Sequence, residues 1–301
     1  MKLRDIYAQD GLTFSIEFFP PKNDEGVEKL FKEIEVLKRL EPDFCSVTYG
    51  AGGSTQDASL GIVKRIKREF GLEIMVHLTI VGQPKSAVLK VIEDMWASDL
   101  HNLIALAGDP PEGPAAPWAP HLHGFSRSEH LVLAARKMDV EWFSIAVAGF
   151  PETHPRAKDR ASDLAYLRQK VEAGADVIIT QLFFDNEDYY RYVEDARAVG
   201  IKIPIVPGML PILSAGQCRR FTSLCGSKIP PKLDALLTMY EDDDDAALEM
   251  GIEYCTEQCR GLIDYGVPGL HFYALNRSRS ITAIYENLNL GALTMRAAAR
   301  S

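Results

Sequence analysis

Long apolar runs are absent. No stretch of this 301-residue chain approaches the roughly 20 uninterrupted apolar residues that a membrane-spanning helix needs. The start, Met1-Lys2-Leu3-Arg4-Asp5, lacks the apolar core of a signal peptide, so a cytoplasmic protein is expected. Cysteine is scarce and odd in number, five in all, which argues against a disulfide framework. Cys255 and Cys259 are spaced to share a helix face, but no companion Cys or His pair stands at zinc-site spacing. Buried thiols are expected there, and no metal. Positive charge is in deficit, with 33 Lys and Arg against 42 Asp and Glu and a net charge of −9. A broad nucleic-acid surface is thereby excluded, whereas a local basic pocket for a phosphate is not. Repeats, low-complexity tracts and linker-like breaks are also missing, so a single domain over residues 1–301 is expected.

What is present is an ordinary globular balance, 47% hydrophobic and 25% charged. Its apolar residues gather in short runs bounded by Gly, Pro or Asp. These read as strands at about 13–19, 44–48, 73–79, 102–107, 143–149, 177–182, 203–208 and 269–274. Several are apolar on both faces, such as Val177-Ile178-Ile179-Thr180, which suits a parallel sheet covered by helices. Helical periodicity fills the intervals, at 27–40, at 161–173 before Gly174, and at 187–199 before Gly200. Alternation of this kind over about 250 residues predicts an α/β (β/α)8 TIM barrel. The competing open doubly wound sheet would carry a Gly-rich phosphate turn after its first strand, where this chain has Phe19-Pro20-Pro21. Residues 216–265 exceed one crossover and should hold two or three extra helices between strands 7 and 8. The acidic run 241–245 reads as the solvated start of one of them, because acids suit the positive end of a helix dipole.

In such a barrel, chemistry belongs to the C-terminal ends of the strands. Those positions hold Glu17, Thr48, His77, Gly108-Asp109, Phe150 with His154, Gln181, Pro207-Gly208, and Tyr273 with Arg277. Glu17 is the most informative. It stands alone inside Phe14-Ser-Ile-Glu-Phe-Phe-Pro-Pro21, where an ionised carboxylate is costly unless it is paired or faces a ligand. No Ser, Cys or Lys lies beside an obvious base, so a covalent nucleophile is not the first expectation.

Six segments together carry a resemblance: 14–22, 46–55, Ala105-Leu-Ala-Gly-Asp-Pro110, Ile179-Thr-Gln-Leu-Phe-Phe-Asp185, Pro207-Gly-Met-Leu-Pro211 and His271-Phe-Tyr-Ala-Leu-Asn-Arg277. In order and over nearly the whole chain, the sequence resembles the methylenetetrahydrofolate reductases, in a bacterial form limited to the catalytic barrel. The resemblance implies an oxidoreductase of one-carbon metabolism and methionine biosynthesis. It would reduce 5,10-methylenetetrahydrofolate to 5-methyltetrahydrofolate with NADH or NADPH, by ping-pong hydride transfer through FAD.

The same resemblance implies residue roles. Glu17 would be the general acid that protonates the departing ring nitrogen, with burial among aromatics and prolines raising its pKa. Asp109 would lie near flavin and pterin, tuning the one and binding the other; its alternative is a helix N-cap ahead of Pro110-Pro111. Gln181, Gln217, Phe221, Tyr273 and Arg277 would contact substrate, although Phe221 also suits a plain core position. Thr48, His77, Leu106, Gly108, Asp109, Ala148, Phe150, His154, Asp163 and Lys170 would form the flavin site, with Asp163 on sugar hydroxyls and Lys170 on a phosphate. A homo-oligomer is expected.

Two positions depart from the family pattern. Ala107 stands where an arginine is common, and Gln169 where a basic residue is frequent; Arg127, Arg156 and Arg168 are the nearby cations that would compensate. Residues 110–123 match no part of the pattern. These departures keep two alternatives open: a flavin-free reductase with direct hydride transfer, and a folate- or flavin-binding subunit working with a partner redox protein.

Overall fold

A computed structural model of the chain describes residues 1–21, 23–48, 56–110, 113 and 116–294. Lys22 and residues 49–55 of the resembling segments, together with Pro111, lie outside the described residues. The strands are β1 (Thr13–Phe18), β2 (Phe44–Val47), β3 (Ile74–Thr79), β4 (Asn102–Leu106), β5 (Ser144–Gly149), β6 (Val177–Thr180), β7 (Ile205–Val206), β8 (Gly208–Met209) and β9 (Gly269–Tyr273). The helices are α1 (Leu3–Ile6), α2 (Asp24–Lys38), α3 (Gln56–Phe70), α4 (Lys85–Ala97), α5 (Ser128–Met138), α6 (Arg160–Glu172), α7 (Asn186–Ala198), α8 (Ala215–Cys225), α9 (Pro231–Met239), α10 (Asp244–Tyr265), α11 (Ser278–Asn287) and α12 (Leu290–Leu293).

All strand pairings are parallel, in the order β7-β6-β5-β4-β3-β2-β1-β9-β8. The two ends of that order are consecutive in the chain, separated only by Pro207, so the sheet curls into the expected barrel. The seventh strand was expected to be continuous from 203 to 208. It is split instead, because proline has no N–H for the ladder. Ile205 and Val206 pair with β6, while Gly208 and Met209 pair with β9.

Alternation along each strand sorts side chains into two cores. Phe14, Ile16 and Phe18 of β1 face the helices and pack with Leu30, Ile34 and Leu37 of α2. The opposite faces of β2 to β7 supply Phe44, Met75, Ile104, Ala146, Val177, Ile179 and Val206 to the barrel interior. Leu3 and Ile6 of α1 plug that interior from below. The floor satisfies the plug's first turn, since Asn102 Oδ1 accepts from Leu3 N–H at 2.8 Å and Ser144 Oγ from Arg4 N–H at 2.9 Å.

Helix ends follow local chemistry. The segment expected from 27 begins at Asp24, because the Asn23 side chain accepts from Gly26 N–H at 2.9 Å. Gly174 and Gly200 stop α6 and α7 with φ of 111° and 87°. Residues 216–265 hold the three helices α8, α9 and α10. The acidic run starts the last of these, with Asp243 as its cap.

Gly208 is where the split strand meets β9. A β-carbon there would collide with the Thr180 carbonyl oxygen and the Tyr273 hydroxyl. Gly208→Ala is expected to lower unfolding stability by about 2 kcal/mol, the usual cost of overpacking. Urea unfolding followed by circular dichroism measures it, and an unchanged midpoint would show that the seam yields freely.

Candidate active site

Glu17 lies one step above the floor core, on the inward face of β1. Its cross-strand partners are Ser46 of β2 and Tyr273 of β9, and Ser15, one inward step below, pairs with His271. Glu17 is 6% exposed, and Oε2 gathers three groups. His77 Nε2 stands 3.1 Å away, His271 Nε2 3.3 Å away, and Ser46 Oγ donates at 3.3 Å. The far nitrogen of His271, Nδ1, is 2.8 Å from Ser15 Oγ. Phe44 stacks on the His271 ring at 5.9 Å between centroids, and Tyr273 meets it edge-on at 5.6 Å. The imidazole is thereby fixed in both orientation and hydrogen bonding.

The electrostatics differ from the sequence expectation. Burial is indeed the largest single influence on the Glu17 carboxyl and pushes its pKa up. The combined pull of His77 and His271 outweighs it and leaves the pKa at about 2. The pairing also leaves His77 incomplete: its Nε2 is close to Oε2 but off line, and it is buried without a hydrogen-bond partner in the protein.

The remaining expected residues fall into two arcs of the mouth. Thr48, His77, Leu106, Gly108, Ala148 and Phe150 belong to the ends of β2 to β5, and Asp163 and Lys170 rise from α6. At Gly108, φ is 80°, and a β-carbon would sit 2.7 Å from Val81 Cγ1 and 2.9 Å from Thr79 Cβ, so only glycine fits. Lys170 is 6% exposed and donates to Ala148 O at 2.6 Å; burial lowers its pKa to about 8, against the pull of Asp163. Asp163 accepts from His154 N–H at 2.9 Å, while burial raises its carboxyl. His154 packs edge-on against Phe150 at 4.3 Å, and burial, Arg156 and Lys170 together hold it neutral with a pKa of about 4. Asp109 is exposed and, among the described residues, caps no helix; the next described helix begins at Ser128. Its charge reaches across to Cys225 of α8, where burial and Asp109 raise the thiol to about 11.

The second arc follows β6 to β9. Gln181 ends β6, and its Oε1 accepts from Leu182 N–H at 2.9 Å. Gln217, in the first turn of α8, turns Oε1 to Leu213 N–H at 2.9 Å and keeps Nε2 buried without a partner in the protein. Phe221 and Tyr273 pack at the edge of one apolar cluster with Leu182, Leu210 and Cys218, so Phe221 is part of a core as well as of the mouth. Tyr273 OH donates to Thr180 O at 2.5 Å. Arg277 is exposed at the cap of α11. Sequence reasoning missed His271, Ser15 and Ser46 as site residues. The signal was there: His271 and Ser15 each stand two residues before a named position, hence on the same strand face. Among the described residues no group of His, Cys, Asp and Glu could hold a metal.

The family model for methylenetetrahydrofolate reductase matches residues 2–289. The chain belongs to the methylenetetrahydrofolate reductase family. It is 34% identical to 5,10-methylenetetrahydrofolate reductase of Escherichia coli (strain K12), with 94% of this chain and 93% of that protein covered. It is 39% identical to methylenetetrahydrofolate reductase (NADH) 1 of Arabidopsis thaliana over 96% of this chain. There it spans about half of the relative's length. In fold it is similar to an uncharacterized protein from Clostridium thermocellum that binds two copies of 5-methyl-5,6,7,8-tetrahydrofolic acid, with a TM-score of 0.67, 15% identity, and 95% and 96% of the two chains covered.

The depressed Glu17 pKa makes this buried carboxylate a measurable acid-stability element. The unfolded carboxyl, near 4.5, binds a proton more readily than the folded one, near 2. The Glu17 contribution to stability is therefore complete above pH 4.5 and is lost as pH falls through about 2. Glu17→Gln is expected to flatten the loss of stability between those values, read from urea midpoints. An acid limb as steep as in the parent chain would place the proton uptake elsewhere.

Proposed function

We propose that this chain reduces 5,10-methylenetetrahydrofolate to 5-methyltetrahydrofolate with NADH or NADPH. The observation that carries the reading is Glu17, a buried carboxylate wedged between two imidazoles at the mouth of a barrel of this family. The reaction needs a proton and a hydride. The proton goes to N10 of the folate as its bond to the bridging methylene breaks, leaving an iminium at N5. The hydride adds to the methylene carbon and makes the methyl group, and the nicotinamide is oxidised.

Glu17 is the proton donor in this reading. Alone with its imidazoles it is ionised at neutral pH, so it must gain a proton when substrate arrives. A flat pterin in the mouth excludes water from the carboxyl and strengthens the influence that already raises its pKa most, burial. His271, locked between Ser15 and Glu17, orients the acid. Gln217 Nε2 and Gln181 suit the donor and acceptor edge of the pterin. Tyr273 and Phe221 offer it aromatic surface, and Arg277 suits the carboxylates of the folate tail. Asp109 is the acid on the other side of the mouth. No nucleic acid or membrane partner enters this reading, and the chain is proposed to work as one catalytic barrel domain in a cytoplasmic homo-oligomer.

The β2-to-β5 arc fits a flavin dinucleotide. His77 offers a buried imidazole at the end of β3 for the ring system, Asp163 a carboxylate for sugar hydroxyls, and Lys170 a buried ammonium beside Ala148 for a phosphate. Thr48, Leu106, Gly108, Phe150 and His154 would line the rest. When bound, the flavin relays hydride between nicotinamide and folate. Ala107 favours a second reading, a flavin-free enzyme in which the nicotinamide itself faces the folate.

The protein as isolated is expected to show the visible absorption of oxidised flavin. A colourless protein that still reduces the folate would support the second reading. Glu17→Gln is expected to lower folate reduction by about 10²- to 10⁴-fold, the usual weight of general acid catalysis, while NADH oxidation with an artificial acceptor continues. Loss of both activities would make Glu17 structural, and absence of nicotinamide-dependent activity in the parent chain would point to a subunit that needs a redox partner.

A further inference from the structure

Ala107, directly after β4, supplies no cation for a dinucleotide phosphate. Arg127, Arg156, Arg160 and Arg168 lie near enough in sequence to substitute, and their surroundings separate them. Arg160 is committed to Asp195 at 3.1 Å and to the Phe150 and Pro151 carbonyls. Arg127 Nη1 donates to Gln169 Oε1 at 3.2 Å and stands 3.9 Å from Glu129, with its guanidinium over the Tyr166 ring at 5.5 Å. Arg168 is paired with Glu172 at 2.7 Å on the exposed face of α6. Arg156 is exposed and, among the described residues, makes no ion pair with a carboxylate.

Arg156 is nonetheless held in place. It sits in a tight turn between β5 and α6, where Thr153 adopts a left-handed φ of 78°. Thr153 N–H donates to Phe150 O at 3.1 Å, Arg156 N–H to His154 Nδ1 at 3.0 Å and Ala157 N–H to His154 O at 2.8 Å. Asp163 fixes the same turn through His154 N–H. Its guanidinium lies 5.9 Å from the centre of the Trp118 ring. Trp118 in turn donates its indole N–H to Gly108 O at 3.1 Å, one residue beyond Ala107. The segment around Trp118 is anchored on its other side, where Lys85 N–H donates to His123 O at 2.9 Å. The indole therefore bridges the end of β4 and the turn after β5, and brings an uncommitted guanidinium to the place where Ala107 supplies none. Lys170, on the neighbouring α6, is the second cation of the pair.

We propose that Arg156, mounted on Trp118, is the pyrophosphate-binding cation of this chain and acts with Lys170 on the diphosphate of a bound dinucleotide. This rests on the reading of the β2-to-β5 arc as a nucleotide site. The chemistry is shared by FAD and by NADH or NADPH. A planar guanidinium suits a diphosphate, which it can grip through two parallel hydrogen bonds. The indole face supports it from behind by a cation–π contact without consuming those donors.

Equilibrium calorimetry on the nucleotide-stripped full-length protein tests this, with FAD, riboflavin and NADH as separate titrants. Arg156→Gln is expected to weaken a dinucleotide by about tenfold, the equivalent of one charge-assisted hydrogen bond. Riboflavin, which has no phosphate, should bind unchanged. Arg127→Gln and Arg168→Gln should match the parent chain. Trp118→Ala should lose affinity in the same direction, and Trp118→Phe, which keeps an aromatic face but not the N–H to Gly108 O, should lose less than Trp118→Ala. Equal dinucleotide affinity in Arg156→Gln and the parent overturns the proposal and leaves the flavin reading standing. An equal loss for riboflavin also overturns it, since the residue would then be structural. Arg156-dependent binding of NADH without any binding of FAD keeps the clamp and removes the flavin. A parent chain that binds neither dinucleotide overturns both.

Discussion

The pairing of one buried carboxylate with two imidazoles is the constraint around which the upper barrel is organised. A lone ion in such a place carries a desolvation cost of several kcal/mol, and it persists only where partners offset that cost. Glu17 finds them on three other strands: Ser46 on β2, His77 on β3 and His271 on β9. Each must face inward at the same height. A one-residue slip of β1 against β2 or β9 would turn Glu17 out into the helix layer and place Ile16 or Phe18 among the imidazoles. The polar cluster thus fixes register at the top of the barrel, as the Asn102 and Ser144 contacts to α1 do at the floor.

That dependence explains how much of the molecule was legible in the sequence. The barrel was legible because doubly apolar runs separated by helical periods have few other solutions. Gly174 and Gly200 marked helix ends because each stands alone after a periodic segment. The split of the seventh strand was less visible. Pro207 was read within a strand, although its missing N–H permits the chain to change partners there. Glu17 was legible as an anomaly, a charge in an apolar run. Its ionisation was not, because pKa depends on what lies across the barrel, and neither His77 nor His271 is near it in the chain. Local reasoning saw the aromatics and prolines that raise the pKa and not the imidazoles that lower it.

The site divides along the same lines as the sequence. The β2-to-β5 arc carries cations and small backbone-exposing residues, the furniture of a phosphate and a ring system. The β6-to-β9 arc carries amides and aromatics, which suit a heterocycle with donors on one edge. Glu17 on β1 and Asp109 after β4 stand on opposite sides of the mouth. His77 belongs to the first arc and yet touches the acid that would serve the second. Its contact with Glu17 makes it the natural point of coupling, because a ligand that engages His77 changes one of the two influences holding Glu17 ionised.

Backbone strain lies beside this junction. Leu275 and Asn276 are consecutive left-handed residues, with φ of 50° and 56°, directly after β9. Neither is glycine, and such conformations cost about 1–3 kcal/mol each where the surroundings enforce them. The enforcement is explicit. Asn276 Oδ1 accepts from Phe19 N–H and its Nδ2 donates to Phe19 O, both at 2.8 Å, while Ala274 N–H donates to Glu17 O at 3.1 Å. The turn after β9 is therefore stitched to the end of β1 on either side of Phe18. Relaxing the two left-handed residues would break both amide contacts and release the strand end that carries Glu17. The strain holds the carboxylate at fixed height against His271, so the geometry of Glu17 and the conformation of the turn after β9 are one structural unit.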